Sequence, residues 1–97
     1  MTENQVLAVL DLIDKRMHRS FPEAAPKQYP HLIPAYEAEE TTWRDHVLWM
    51  TQNTRDLIQN KRIEKAMRWL GFIQGILWAQ KVYTIEDMKN HNTRVTK

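Results

Sequence analysis

Residues 69–79, Trp-Leu-Gly-Phe-Ile-Gln-Gly-Ile-Leu-Trp-Ala, constrain the fold of this chain more than any other segment. The segment holds both glycines of the chain, two of its four tryptophans and one polar side chain, Gln74. A surface helix is normally apolar along one stripe, whereas this segment would be apolar on nearly every side. We therefore expect it to be covered all round, partly by the chain itself and partly by another subunit.

The length of the chain supports that expectation. With 97 residues the chain makes one domain. A domain of this size buries only about 60–65% of its unfolded surface, so its core is marginal. The sequence has no cysteine, which excludes disulfides and thiolate metal sites as stabilising devices. Oligomerisation is the remaining common route, and we expect a homo-oligomer, most simply a two-fold dimer.

The first third of the sequence predicts a helix followed by an extended connector. Thr2 and Gln5 form a capping-box pair at the start of a helix over 2–19. All four prolines fall at every fourth position from Pro22 onwards, which excludes a helix and predicts a connector over 20–34. Four apolar side chains should anchor this connector on the helices: Phe21, Tyr29, Leu32 and Ile33.

Two longer helices are predicted after the connector, over 35–60 and 61–83. The second helix should bury one face, formed by Tyr36, Trp43, Val47, Met50, Thr54, Leu57 and Ile58. Leu48 lies off this face and should be exposed. Trp49 also lies off it and indicates a second contact surface. A turn near Asn60 would fold the two helices into an antiparallel hairpin. No glycine or proline marks the junction, so the sequence leaves a single long rod open.

The third helix divides into three surfaces around its axis. Its main stripe is centred on Gln74 and continues through Leu77 and Trp78; an aromatic face comprises Trp69, Phe72, Ile76 and Tyr83; a groove of small residues comprises Gly71, Gly75 and Ala79. Two glycines four apart predict close approach by another backbone or ring. The Gln74 amide could pair with Thr54, with its own copy across a two-fold axis, or with a ligand.

The sequence therefore predicts an all-α fold: an N-terminal helix, a proline-rich crossover, a long antiparallel helical hairpin and a short C-terminal helix over 84–91, followed by a tail over 92–97. Thr84 and Asp87 should cap the short helix. Seven side chains are the candidates for packing between subunits: Trp49, Gly71, Phe72, Gln74, Gly75, Ile76 and Trp78.

No residue set amounts to a catalytic site. Ser20 lacks a nucleophile motif, and four histidines (18, 31, 46 and 91) have no metal-ligand spacing. Glu37 and Glu40 match the first half of the paired E-x-x-E pattern of all-α nucleotide pyrophosphatases, but no second half follows. We predict no metal, no cofactor and no enzyme activity, and an unrecognised all-α nucleotide hydrolase stays as an alternative.

One candidate ligand surface stands out at the start of the third helix. Four cations lie within eight residues beside an indole: Lys61, Arg62, Lys65 and Arg68, with Trp69. Cations of this density can hold phosphates, and an indole can stack on a base. The alternative is a solvated helix face with Glu64 and Arg68 as an ion pair. The net charge of +2 is too small to indicate nucleic-acid binding by itself.

The N-terminal five residues lack the basic start and apolar core of a signal peptide, and no apolar run approaches the roughly 18 residues of a membrane span. We therefore expect a cytoplasmic protein with no membrane partner.

The C-terminal half carries a resemblance to a known group. The stretch from Glu64 to Gly75, then Leu77-Trp78, Tyr83-Thr84-Ile85 and His91-Asn92, resembles a group of small accessory proteins of tailed bacteriophages, as does Tyr-Pro…Ile-Pro-Ala-Tyr at 29–36. The similarity covers most of the chain after residue 5. It implies no catalytic residue. It implies an accessory protein of the host cytoplasm that binds and neutralises a host factor in host defence, either a protein or a signalling nucleotide. A nucleic-acid-associated protein is the alternative.

Overall fold

The structure is a computed structural model that describes residues 2–28 and 42–94. Within these ranges it contains four helices and no strand, which confirms the all-α prediction: α1 (Glu3–Ser20), α2 (Thr42–Gln59), α3 (Ile63–Ala79) and α4 (Ile85–Arg94). Several predictions lie outside the described residues. They concern the second half of the connector, the start of the second helix at 35–41, and the carboxylates Glu37 and Glu40.

Helix α1 follows its sequence pattern closely. The Thr2 hydroxyl accepts a hydrogen bond from the Gln5 backbone N–H, and the Gln5 side chain accepts one from the Thr2 N–H, so the predicted capping box is confirmed. The apolar stripe faces the core and is fully buried; its members are Val6, Val9, Leu10, Ile13 and Met17. One helix face thus supplies a third of the apolar core, since every fourth or third residue returns to the same side.

The described part of the connector packs on the first turn of α2. The Phe21 ring meets the Trp43 ring edge-on at 5.3 Å between centroids. The backbone N–H of Ala25 donates to the Asp45 carboxylate, and that of Lys27 donates to the Asp45 carbonyl, both at 3.1 Å. The predicted anchoring is thereby confirmed at Phe21, while Tyr29, Leu32 and Ile33 lie outside the described residues.

Helices α2 and α3 fold back on each other. The Trp49 and Trp69 rings lie 5.9 Å apart, although a continuous helix would separate positions twenty residues apart by about 30 Å. Lys61 makes the turn with a left-handed φ of 61°. Because α2 packs against both α1 and α3, its buried face is wider than one stripe. Leu48, predicted to be exposed, is therefore buried, and that prediction is wrong.

The third helix ends earlier than predicted. It stops at Ala79, and Lys81 turns the chain with a φ of 62°. The N–H of Val82 then bonds the Leu77 carbonyl at 2.9 Å, which brings Val82 and Tyr83 into the core. Tyr83 lies under the Arg16 guanidinium, 5.6 Å from its ring centroid, and burial raises the pKa of its phenol. Its assignment to the aromatic face of the third helix is wrong.

Helix α4 begins as predicted and runs further. The backbone N–H of Thr84 donates to the Asp87 carboxylate, and the Asp87 N–H donates to the Thr84 hydroxyl, so the predicted cap is confirmed. The helix continues to Arg94, three residues beyond the predicted end. Ile85, in its first turn, is exposed, whereas Met88 packs partly against the core.

A polar seam joins α1 to α2. One guanidinium nitrogen of Arg55 lies 2.8 Å from the Asp11 carboxylate and 2.6 Å from that of Asp14. The buried Thr51 hydroxyl donates to Asp14 at 2.8 Å. Burial alone would lower the pKa of Arg55, but the two carboxylates outweigh burial and raise it. Sequence periodicity gave no sign of this seam because it identifies apolar faces, and these carboxylates lie beside the apolar stripe.

Candidate functional site

The inward face of α3 is set one position away from the predicted stripe. Its fully or nearly fully buried residues are Ala66, Leu70, Ile73 and Leu77. Ile73 is the centre of this face, and Gln74 is only half-buried at its edge. Trp78, which was predicted to continue the stripe, points away from the core with 53% of its surface exposed. The predicted centre is therefore wrong by about 100° of helix rotation, the angle of one residue.

The outward face of α3 is exposed to solvent. We call it the open face; it comprises Gly71, Phe72, Gly75, Trp78 and Ala79. The Phe72 side chain is 58% exposed. A Cβ added at either glycine would meet nothing within 4 Å among residues 2–28 and 42–94, so these residues do not make the close approach predicted for the glycines. The described part of one chain thus covers this segment on one side, and cover by another subunit stays a prediction.

Two further packing candidates, Trp49 and Ile76, are half-buried. Trp49 lies at the seam between α2 and α3, where its ring contacts the ring of Trp69. The His46 ring also stacks on Trp49, 5.5 Å away and nearly parallel to it. Burial there lowers the pKa of His46 below its ordinary value of 6.5. These side chains stabilise the hairpin. Of the large apolar side chains that are exposed, Phe72 and Trp78 lie on the open face and Ile85 lies on α4.

The four predicted cations do surround one cavity. The cavity has a volume of about 380 Å³ and opens to solvent at the start of α3; its lining residues are Lys61, Arg62, Ile63, Glu64, Lys65 and Arg68. We call Lys61, Arg62, Lys65 and Arg68 the basic cluster. Trp69 does not line the cavity. Its ring is partly buried, 5.9 Å from the Lys65 ammonium and 5.9 Å from the Trp49 ring, and its stacking on a base stays a prediction.

The backbone adds to the positive potential of the basic cluster. The first turn of a helix presents unpaired N–H groups and the positive pole of the helix dipole. Arg62 occupies the N-cap and supplies no side-chain hydrogen bond to that turn. Lys61 lies 3.4 Å from the Glu3 carboxylate, but both side chains are well exposed. An exposed pair contributes only about 0–1 kcal/mol, so it offers little competition to an anion.

A second cavity, which the sequence did not indicate, lies where the connector meets α2. It has a volume of about 370 Å³ and is lined by Ser20, Phe21, Pro22, Glu23, Ala24, Arg44 and Asp45. The Arg44 guanidinium lies 4.2 Å from the Phe21 ring centroid, and its Nε is buried without a hydrogen-bond partner in the described part of the chain. Two carboxylates share this lining with one cation, which makes it a poorer anion site than the basic cluster.

The side chains considered for chemistry have structural partners. The Ser20 hydroxyl accepts from Arg16 at 3.0 Å, Asp45 holds the connector and Asp87 caps α4. Within residues 2–28 and 42–94 no three His, Asp or Glu side chains are grouped so as to hold a metal ion. The carboxylates Glu37 and Glu40 are not among these residues.

The helices in the described ranges are all too short or too polar to cross a membrane. No family model, no curated protein and no solved structure matches this chain.

Proposed function

We propose that this protein is a non-catalytic binding protein whose basic cluster captures a phosphorylated ligand of nucleotide size. The observation that carries the proposal is the convergence of four cations on one cavity at the positive pole of α3. Arginine and lysine are the side chains that hold phosphates, and a helix N-terminus adds N–H donors. The cavity volume of about 380 Å³ falls at the lower end of the range for small-molecule sites.

The biological role that we propose rests on the resemblance to phage accessory proteins. Capture would remove a signalling nucleotide of the host, and so neutralise a host defence, without any chemical step. The lining supports binding rather than turnover, since it consists of four cations, one carboxylate and one isoleucine. A host protein bearing a phosphate or a carboxylate cluster is the other host factor that such a surface would bind.

Thermal unfolding with a ligand panel tests the capture. Inorganic phosphate, linear nucleoside triphosphates and cyclic dinucleotides are the probes. A ligand at about 100 times its Kd stabilises the folded state by about 2.7 kcal/mol. In a chain of this size each kcal/mol raises Tm by about 4–8 °C. The shift should vanish in Arg62→Ala and Arg68→Ala and persist in Lys15→Ala, which removes an exposed cation on α1.

A flat panel removes the nucleotide proposal. A shift that survives in both arginine variants places the ligand elsewhere on the protein. If single-stranded DNA or RNA raises Tm and the effect falls steeply with added salt, the ligand is nucleic acid, because counterion release dominates such binding. Magnesium-dependent turnover of any probe, abolished by Glu37→Gln, would establish the hydrolase alternative instead.

A further inference from the structure

The open face of α3 leaves two large aromatic side chains in water. A Phe or Trp buries about 150–250 Å² when fully covered, so Phe72 and Trp78, each more than half exposed, leave on the order of 200 Å² uncovered. Gly71 and Gly75 leave bare backbone on this face, although glycine is a poorer helix former than alanine. We propose that this face pairs with the same face of a second copy, antiparallel, about a two-fold axis at Gly75.

The layout of the face is self-complementary in shape. Phe72 and Trp78 lie three residues before and after Gly75, about 60° to either side of it around the helix. Gly71 and Ala79 lie four residues before and after, about 40° to either side. Trp78 therefore shares one side with Gly71, and Phe72 shares the other side with Ala79.

A two-fold axis that relates two antiparallel helices places the start of each helix opposite the end of the other. Residues on one side of Gly75 then face residues on the same side of the partner helix. Trp78 then lies over the partner subunit's Gly71, and Phe72 lies over the partner subunit's Ala79. Each bulky ring meets a small residue, and the backbones cross at Gly75, where no Cβ holds them apart. A two-fold interface requires such a match, because the same surface must fit itself.

Charge selects the antiparallel arrangement over the parallel one. Residues 61–68 carry four cations and one carboxylate, whereas residues 80–90 carry two carboxylates and two lysines. Parallel pairing would place two basic clusters side by side. Antiparallel pairing places each basic cluster near the end of α3 that has the negative dipole pole and is followed by Glu86 and Asp87. The area is well below the roughly 800 Å² per partner of a standard interface, so we expect micromolar affinity.

Sedimentation and light scattering at micromolar concentration test the pairing. The weight-average mass of the wild-type chain should rise from 11.6 kDa toward about twice that value as the concentration increases through the micromolar range. Gly75→Leu should stay folded by circular dichroism, since no atom of the described residues lies near its Cβ, and should give the mass of one chain throughout. Gln52→Leu is the matched control, because it adds the same side chain at an exposed position of α2 and should assemble like the wild type. A wild-type monomer, or a Gly75→Leu dimer of unchanged affinity, overturns the proposal.

Cysteine cross-linking tests the orientation, since the natural chain has no cysteine. A disulfide needs Cα atoms about 4.4–6.8 Å apart. Antiparallel pairing brings G71C and A79C together, so a mixture of the two variants should link. Either variant alone should not, because its copy would lie about 12 Å away along the helix. Efficient linking of A79C with itself would contradict the antiparallel arrangement.

The pairing and ligand capture are tested with different substitutions. Gly75→Leu leaves the basic cluster untouched, and Arg62→Ala leaves the open face untouched. Loss of assembly with normal ligand shifts, or the reverse, therefore identifies which of the two proposals fails.

Discussion

The two faces of α3 have the same apolar character and different surroundings. On the inward face Ile73 is fully buried, and α3 packs against both α1 and α2. On the open face its neighbour Phe72 is 58% exposed. An apolar sequence on every side of a helix therefore does not determine how much of the helix surface one chain buries. The inward face stabilises the fold, and the open face is the surface for which we propose a second copy as partner.

The largest expected effect on the free energy of unfolding distinguishes the two faces through substitutions at the adjacent positions 72 and 73. Ile73→Ala should lower the free energy of unfolding by about 2–5 kcal/mol, because it removes buried methylene groups and leaves a cavity. Phe72→Ala should change it by less than about 1 kcal/mol in dilute protein, where the open face has no partner. Urea denaturation below the dimer concentration range measures both. Equal losses would show that the open face is buried within the protomer.

The second effect concerns the polar seam between α1 and α2, which contrasts with the apolar inward face of α3. Arg55→Ala should lower the free energy of unfolding by about 1–3 kcal/mol, since hydrogen bonds to the carboxylates of Asp11 and Asp14 are lost. Arg19→Ala, at an exposed position of α1, serves as the control. If the two arginine variants unfold at the same urea concentration, the ion pairs of the seam are solvated and do not contribute to the free energy of unfolding.

The third expected effect is a gain in the free energy of unfolding rather than a loss. Gly75→Ala should raise the free energy of unfolding of dilute protein by up to about 1 kcal/mol, because alanine is the better helix former and its Cβ meets no atom of the residues that the structure describes. The same substitution should weaken self-association. A destabilised protomer would mean that something in the chain does approach Gly75.

The smallest effect is a pH dependence at the seam between α2 and α3. The folded pKa of His46 lies below 6.5, so the unfolded chain binds its proton first as pH falls. The contribution of His46 to the free energy of unfolding is fully present above about pH 6.5. It is lost as the pH falls through the lowered pKa of the folded state. Unfolding free energies of the wild type and His46→Gln should therefore converge toward acid pH. Parallel pH curves for the two proteins would contradict this.

Much of the fold could be predicted from local pattern. The capping pairs at Thr2 and Thr84 and the apolar stripe of α1 depend on neighbours within a few residues, so the sequence contains them directly. The end of α3 could not be predicted, because no glycine marks it and Lys81 takes a left-handed conformation that sequence disfavours. Leu48 could not be assigned either, since its burial depends on a third helix.

The basic cluster could be predicted because four cations are adjacent in the sequence. The contact of Trp69 with Trp49 could not, because Trp49 lies on another helix. The Arg44 contact with Phe21 joins the connector to α2, and hydrophobic periodicity within one helix cannot predict such a contact.

Our central claim is that the inward face of α3 stabilises the protomer and that its open face pairs with a second copy. The dependence of the unfolding temperature on protein concentration tests this claim most directly. Association stabilises the native state by mass action, so Tm should rise with concentration across the micromolar range in the wild type. It should not rise in Gly75→Leu. A wild-type Tm that is independent of concentration, with light scattering at 11.6 kDa throughout, would contradict the account.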